Sequence, residues 1–144
     1  MYSTRQKIER IIIQLKVLSK LNKNEKLIFR NKAIYIQING YMTACVRQLY
    51  GDSRSDSING LSDIVDDIER VIDECKEEED KSMLSRLYDS LDSCICDPGR
   101  GLHNLVETYS TDKAMVSHLE TYIERMLVSK NNIEKITGVK PMEN

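Results

Sequence analysis

A chain of 144 residues is long enough to form one domain with a hydrophobic core of its own. Its 40% hydrophobic and 31% charged residues exclude the composition of a disordered chain. It contains no run of about 18 apolar residues that could span a membrane, and its polar N-terminus lacks the apolar segment of a secretory signal. These features predict a single soluble, intracellular domain over residues 1–144.

Charge is distributed unevenly along the chain, although the net charge is only −2. Residues 1–50 carry ten Lys or Arg and two Glu, which gives +8. Residues 51–100 carry six basic and fifteen acidic residues, which gives −9, and residues 101–144 contribute −1. The N-terminal third is therefore strongly basic and the middle third strongly acidic.

The first predicted element is a helix over about residues 4–21. Ser3 and Gln6 have the spacing of a capping box, in which each side chain bonds the other residue's backbone N–H. Aliphatic residues follow at helical spacing from Ile8 to Leu21, and Asn22 and Asn24 are expected to end the helix.

A change of period predicts a small β-hairpin over about residues 26–38. Ile34, Ile36 and Ile38 alternate with polar or aromatic residues, which is the period of a strand, and β-branched residues favour strands. Asn31-Lys32 is expected to form the turn of the hairpin, and Asn39-Gly40 a second turn.

The rest of the chain predicts helices. A short one is expected over 41–50, and a strongly amphipathic one over about 57–78, capped by Asp56 or Ser57. Further helices are expected over 82–96, over 102–109 after a break at 97–101, and from a cap at Thr111 or Asp112 to a stop at Gly138 and Pro141. The predicted fold is mainly α, a compact bundle of four to five principal helices with the hairpin near 26–38.

The four cysteines and two histidines do not form a recognisable reactive or metal-binding pattern. Cys45 and Cys75 lie on apolar helical stripes and are expected to be buried, reduced thiols of a reducing compartment. Cys94 and Cys96, with His103 and His118, are four metal-ligand types, but their spacing is not that of a zinc knuckle. No catalytic residue and no cofactor or metal is expected.

Two pairs of carboxylates suggest a distant enzymatic alternative. Glu74-x-x-Glu77 and Asp89-x-x-Asp92 resemble the magnesium-binding pattern of all-α nucleotide pyrophosphohydrolases, with Asp89 where that pattern has Glu. Acidic residues that end one helix and solvate the following turn are the simpler interpretation of the same spacing.

The basic N-terminal third contains the best candidates for a binding surface. Their Lys and Arg side chains avoid the apolar stripe of the first helix or flank the predicted hairpin, where they could contact a protein partner or phosphates. These candidates are Arg5, Lys16, Lys20, Lys23, Lys26, Arg30, Lys32 and Arg47.

Several short stretches together are similar to a known class of proteins. They are residues 26–31 with Ile34-Tyr-Ile36, Tyr50-Gly-Asp-Ser-Arg54, and Gly101-Leu-His-Asn-Leu105 with Thr108-Tyr-Ser-Thr-Asp112. The set resembles small uncharacterised helical proteins encoded by large (giant) double-stranded DNA viruses. The resemblance implies a viral protein that acts in the cytoplasm of the infected host cell or inside the virion, and it carries over no catalytic residue.

The sequence therefore predicts a non-enzymatic interaction or assembly module. If the resemblance to viral proteins holds, this module is expected to be a minor virion component. Its partner is expected to be another protein or a second copy of the chain. The alternative is a nucleic-acid-binding protein that uses the basic third.

Overall fold

The computed structural model describes residues 3–20, 22–51 and 54–138. Within these ranges the chain forms six α-helices and no strand, which confirms the mainly α class. The helices are α1 (Thr4–Lys20), α2 (Lys23–Leu49), α3 (Arg54–Cys75), α4 (Ser82–Cys96), α5 (Leu102–Thr108) and α6 (Lys113–Thr137). The chain divides into two compact units, Met1–Ala33 (unit 1) and Ile34–Asn144 (unit 2), so that α2 crosses their boundary. The single domain expected for residues 1–144 stays a prediction.

The predicted hairpin over 26–38 is wrong, because these residues lie inside the single helix α2. The Ile34-Ile36-Ile38 alternation also satisfies a helical pattern, since Ile38 begins a stripe that continues through Met42 and Leu49 and is buried along its length. Ile36 lies off this stripe and is 60% exposed. Burial of the helical stripe outweighs the weak strand preference of isoleucine, and a lone two-stranded hairpin would be only marginally stable.

The helix count is corrected for the same reason. The turn expected at Asn39-Gly40 does not form, and the short helix expected over 41–50 is the second half of the 27-residue α2. Six helices in the described ranges replace the four to five predicted principal ones.

Several helix ends agree with their sequence patterns. The Ser3 backbone N–H donates to Gln6 Oε1 (2.9 Å) and the Gln6 N–H to Ser3 Oγ (3.2 Å), which confirms the capping box. The Asp112 carboxylate accepts from the Met115 N–H and caps α6. Gly138 ends α6 with φ of 75°, in the left-handed region that favours glycine. Pro141 lies outside the described residues.

Other helix ends differ from the expectation. Asn22 does not only follow α1 but caps α2, since its Oδ1 accepts from the Glu25 N–H at 2.8 Å, and Asn24 lies inside α2. The helix α3 begins at Arg54, so neither Asp56 nor Ser57 caps it. Ser57 is instead buried, and its hydroxyl donates to Gln48 Oε1 at 3.0 Å. This bond joins the end of α2 to the start of α3 within unit 2.

The core of unit 2 is built around α6, which packs against α3, α4 and α5. Its buried side chains recur every three or four residues, which keeps them on one face of the helix. These are Met115, Leu119, Ile123, Met126, Ser129 and Ile133. The facing helices contribute Leu61, Ile68, Leu84, Leu87, Leu91 and Leu105, and α2 contributes Met42 and Leu49.

The predicted break at 97–101 is confirmed and has a steric cause. A Cβ on Gly101 would come within 2.6 Å of the Ile95 carbonyl oxygen, so only glycine fits where the chain leaves α4 and enters α5. The Tyr50 hydroxyl donates to the Gly101 carbonyl at 2.8 Å and accepts from the Asn104 amide at 3.1 Å. The break is thereby held against the end of α2.

The burial of Ile68 predicts a large loss of stability on truncation. Ile68 is 1% exposed in the middle of α3, whereas Ile36 on α2 is 60% exposed. We expect Ile68→Ala to lower the free energy of unfolding by about 2–5 kcal/mol, because it leaves a cavity in the core. Ile36→Ala, the matched control, should change it by less than about 0.5 kcal/mol. Urea unfolding followed by circular dichroism measures both, and equal losses would contradict the placement of the core.

A hydrogen bond to a carboxylate joins Tyr88 on α4 to Glu134 on α6. The Tyr88 ring is buried, and its hydroxyl donates to Glu134 Oε1 at 2.7 Å. The Lys130 ammonium lies 5.0 Å from the centre of that ring and pairs with Asp92 at 2.7 Å. Burial, together with the hydrogen bond to Glu134, raises the pKa of Tyr88 to about 12.

This raised pKa predicts an alkaline loss of stability. The contribution of Tyr88 is complete below the unfolded tyrosine pKa of about 10 and is lost as pH rises through the folded pKa. The stability difference between the wild type and Tyr88→Phe should therefore be constant up to about pH 10 and shrink between about pH 10 and 12. Unfolding at each pH measures it, with Tyr41→Phe, an exposed tyrosine, as control. A difference that stays constant up to pH 12 would refute the assignment.

Candidate interaction surface

The apolar side of α1 is exposed. Ile8, Ile11, Ile12 and Leu15 share one side of the helix by their spacing, and their exposed fractions range from 45% to 60%. These four residues are called the α1 apolar face. Ile13 and Val17, elsewhere on the helix, are also exposed. An amphipathic helix normally gains most of its stability by burying such a face against other elements, so this face is available for a contact outside unit 1.

The residues that hold α1 in its helical form do not cover this face. The capping box acts at its first turn, and Arg5 pairs with Glu9 one turn later at 3.2 Å. Such exposed pairs contribute only about 0.3–0.5 kcal/mol each. The local bonds of α1 therefore fix the helix while leaving its aliphatic side chains accessible.

All eight basic residues proposed from the sequence are exposed. Seven belong to unit 1, on α1 or on the first turns of α2, and Arg47 belongs to unit 2. Unit 1 carries nine basic and two acidic residues, a net charge of +7. Seven of the eight candidates thus belong to one cationic unit, and Arg47 belongs to the other unit.

Apolar side chains are interleaved with these cations on α2 as well. Ile28 and Phe29 are exposed and stand between Lys26 and Arg30 in the sequence. The Arg30 guanidinium donates to Oδ1 of Asn31, which is itself buried. Sequence reasoning identified the cations of this surface but missed its exposed aliphatic component, because periodicity shows that a helix has an apolar face and not whether anything covers it.

Five acidic residues of α3 form ion pairs inside unit 2, namely Asp66, Asp67, Glu69, Asp73 and Glu74. Arg125 on α6 donates to Asp66 at 2.6 Å and to Glu69. The hydrogen bond to Glu69, followed by the one to Asp66, raises the pKa of Arg125. Arg70 pairs with Asp67 at 3.0 Å, and Lys76 pairs with Asp73 at 2.9 Å. The excess of carboxylates nevertheless leaves unit 2 with a net charge of −9, from twelve basic and twenty-one acidic residues.

A cleft of about 660 Å³ lies in unit 2 between α2 and α4. Its lining is of mixed charge, with Arg47 and Arg100 opposed in sign to Asp89 and Asp97. The rest of the lining combines hydroxyl and amide groups with apolar side chains, from Asn39, Met42, Thr43, Val46, Tyr50, Ser90, Ser93 and Cys94. The volume suits a small molecule, but the lining does not point to one chemical class of ligand.

The cysteine expectations are met in part. Cys75 is buried, as predicted, whereas Cys45 is only half-buried, and none of the four cysteines forms a disulfide within the described ranges. Burial raises the pKa of Cys94 to about 12, and burial with the nearby Asp63 carboxylate raises the pKa of Cys45. Because the thiolate is the nucleophile, both thiols are poor nucleophiles at neutral pH.

The carboxylates and histidines proposed as metal ligands do not converge within the described ranges. No group of three or more His, Cys, Asp or Glu side chains there is placed to hold a metal ion. Of the two acidic pairs, Asp92 bonds Lys130 at 2.7 Å and Glu74 lies 4.0 Å from Arg70. Cys94 and Cys96 differ in exposure, since the first is half-buried and the second exposed.

Comparison with known proteins gives no relative. No family model, curated protein or solved structure matches the chain. Among the described helices, none combines the length and apolar character that a membrane crossing requires.

The different environments of the cysteines predict an order of thiol reactivity. A maleimide added to the native protein at neutral pH should label exposed Cys96 first and the half-buried Cys45 and Cys94 more slowly, with Cys94 the slower because of its raised pKa, while Cys75 reacts only after unfolding. Mass spectrometry of tryptic peptides over time gives the rate at each site, and a urea-unfolded sample is the control. Rapid labelling of Cys75 in the native protein would contradict its burial.

Proposed function

We propose that the chain is a non-enzymatic interaction module that docks on a protein through the α1 apolar face. The observation that carries this proposal is the exposure of Ile8, Ile11, Ile12 and Leu15 together on one side of a capped helix. A helix that binds in an apolar groove of another protein contacts it through apolar side chains at this spacing. The cations around the face would orient the helix towards an acidic partner and speed the encounter.

The unreactive thiols of Cys45 and Cys94 and the ion-paired carboxylates of unit 2 support a role other than catalysis. The resemblance to proteins of large DNA viruses is the support for placing such a module in an infected cell or a virus particle.

Nucleic-acid binding is the second candidate, favoured by the nine exposed basic residues of unit 1, seven of which were proposed from the sequence. Lys and Arg that contact phosphates release counterions, so the affinity for labelled duplex DNA would fall steeply as salt rises. In that case, replacing Lys20 and Lys26 by Gln would weaken binding more than truncating the aliphatic side chains of α1.

The docking role of α1 predicts which substitutions abolish partner binding. The double variant Ile11→Ala/Leu15→Ala removes apolar contact area while keeping or raising helix propensity, so the helix itself should persist. Ile36→Ala is the control, because Ile36 and Leu15 are both 60% exposed and Ile36 belongs to unit 2. In affinity capture from an extract of cells that contain the protein, we expect the double variant to lose the proteins that the wild type and the control retain.

Circular dichroism of the double variant checks that its helix content is unchanged. Equal retention of the same proteins by all three forms would show that the α1 apolar face is not the docking surface. Loss of capture after treating the extract with nuclease, with no effect of the aliphatic substitutions, would favour the nucleic-acid alternative.

A further inference from the structure

We propose that the occupant of the α1 apolar face is a second copy of this chain, and that copies associate head to tail. In this arrangement α1 of one copy contacts the outward side of α6 of the next. The inference rests on the proposed function and names the partner of the same surface. It starts from the charges of the two units, which are +7 for unit 1 and −9 for unit 2.

The outward side of α6 has the composition needed to receive α1. Leu127 and Val128 are 43% and 53% exposed, and Glu120 and Glu124 are exposed within the two preceding turns. With about 3.6 residues per turn, these four residues share the side of α6 opposite to its buried stripe. They are called the α6 outer face. It offers two aliphatic side chains beside two carboxylates that lie outside the buried core, and the exposed Lys113 and Lys135 lie on the same side of α6 towards its two ends.

The two faces are complementary in both chemistry and charge. Lys7 and Lys16 border the α1 apolar face on its two sides when the helix is viewed along its axis, and both are exposed. Docking would place isoleucine and leucine side chains against Leu127 and Val128. It would also bring those lysines within reach of Glu120 and Glu124, so that opposite charges border the apolar centre on the N-terminal side of Leu127, away from Lys135.

Pairing of α1 with α1 of another copy is disfavoured. Each α1 carries five basic residues and one acidic residue, so two of them would bring like charges together. Its aliphatic repeat covers a helix of 17 residues, shorter than the three to four heptads that sustain a coiled coil. An anionic membrane would attract α1 but repel unit 2, whose charge is −9. The second copy satisfies both units at once.

The proposed contact joins two different surfaces, so a pair of copies keeps one free α1 apolar face and one free α6 outer face. Such heterologous contacts generate rings or open chains rather than closed dimers. A helix of 17 residues is about 25 Å long. The interface is therefore at the small end of specific contacts, and we expect dissociation constants between about 1 μM and 1 mM.

Complementation between two variants tests this geometry on the full chain. The first variant, Ile11→Glu/Leu15→Glu, changes the α1 apolar face, and the second, Glu124→Lys/Leu127→Lys, changes the α6 outer face. Each alone should remain monomeric in sedimentation velocity at concentrations where the wild type forms species larger than dimers. An equimolar mixture should form a 1:1 heterodimer and grow no further. The two variants together have only one unaltered face of each kind, and the contact between them uses both.

The controls separate this inference from its competitors. Ile36→Glu, which changes an equally exposed aliphatic residue outside both faces, should associate like the wild type. Raising the salt concentration from 0.1 M to 1 M should weaken association, because the Debye length falls from about 10 Å to about 3 Å. Circular dichroism of each variant checks that it is folded.

Other outcomes would overturn the inference. A monomeric wild type would exclude self-association, and in that case loss of capture by Ile11→Ala/Leu15→Ala would still leave the proposed function standing with a different protein as partner. Association of one variant on its own would indicate like-with-like pairing of the face that it retains, and failure of the mixed variants to associate would contradict the contact between α1 and α6. Cosedimentation of a monomeric wild type with phosphatidylserine vesicles, but not phosphatidylcholine vesicles, would identify a lipid surface as the occupant. Association unchanged at 1 M salt would exclude the charge pairing.

Discussion

The packing of one face of α6 against α3, α4 and α5 is the constraint on which the rest of unit 2 depends. Leu119, Met126 and Ile133 are fully buried along this face, so α6 supplies side chains to the core over most of its length. Burial of each such side chain contributes about 1.5–3 kcal/mol. Once that face is committed to the core, the opposite side of α6 must point outward, and this is why Leu127 and Val128 are exposed together with Glu120 and Glu124.

The helix α1 shows the opposite balance. Its hydrogen bonds and caps are local, whereas its aliphatic face lacks the burial that stabilises α6. Helices of this length are only marginally stable in water without tertiary packing. An occupant of the face would therefore stabilise α1 as well as bind it, and docking and helix stability would be linked by mass action. The local cap at Ser3 lowers the ordering cost of that step by favouring the helix in advance.

The sequence predicted local features well and long-range ones poorly. Caps at Ser3 and Asp112 and the stop at Gly138 depend on bonds within one turn, so the pattern contains nearly all the information. The hairpin at 26–38 was wrong because Ile34, Ile36 and Ile38 fit two periods, and only burial of Ile38 beside Met42 decides between them. The start of α3 depends likewise on Ser57 meeting Gln48, a contact that spacing does not reveal.

The difference between local and long-range features also explains which parts of the candidate surface could be predicted. The basic residues of unit 1 could be predicted to lie at the surface because long charged side chains are almost always solvent-exposed. The exposed isoleucines could not be predicted, since an apolar face looks identical in the sequence whether a core, a partner or water covers it. The faces of α1 and α6 have the same helical spacing, yet one is exposed and the other buried. What separates them is that α6 meets three helices of unit 2, whereas the aliphatic side chains of α1 are exposed.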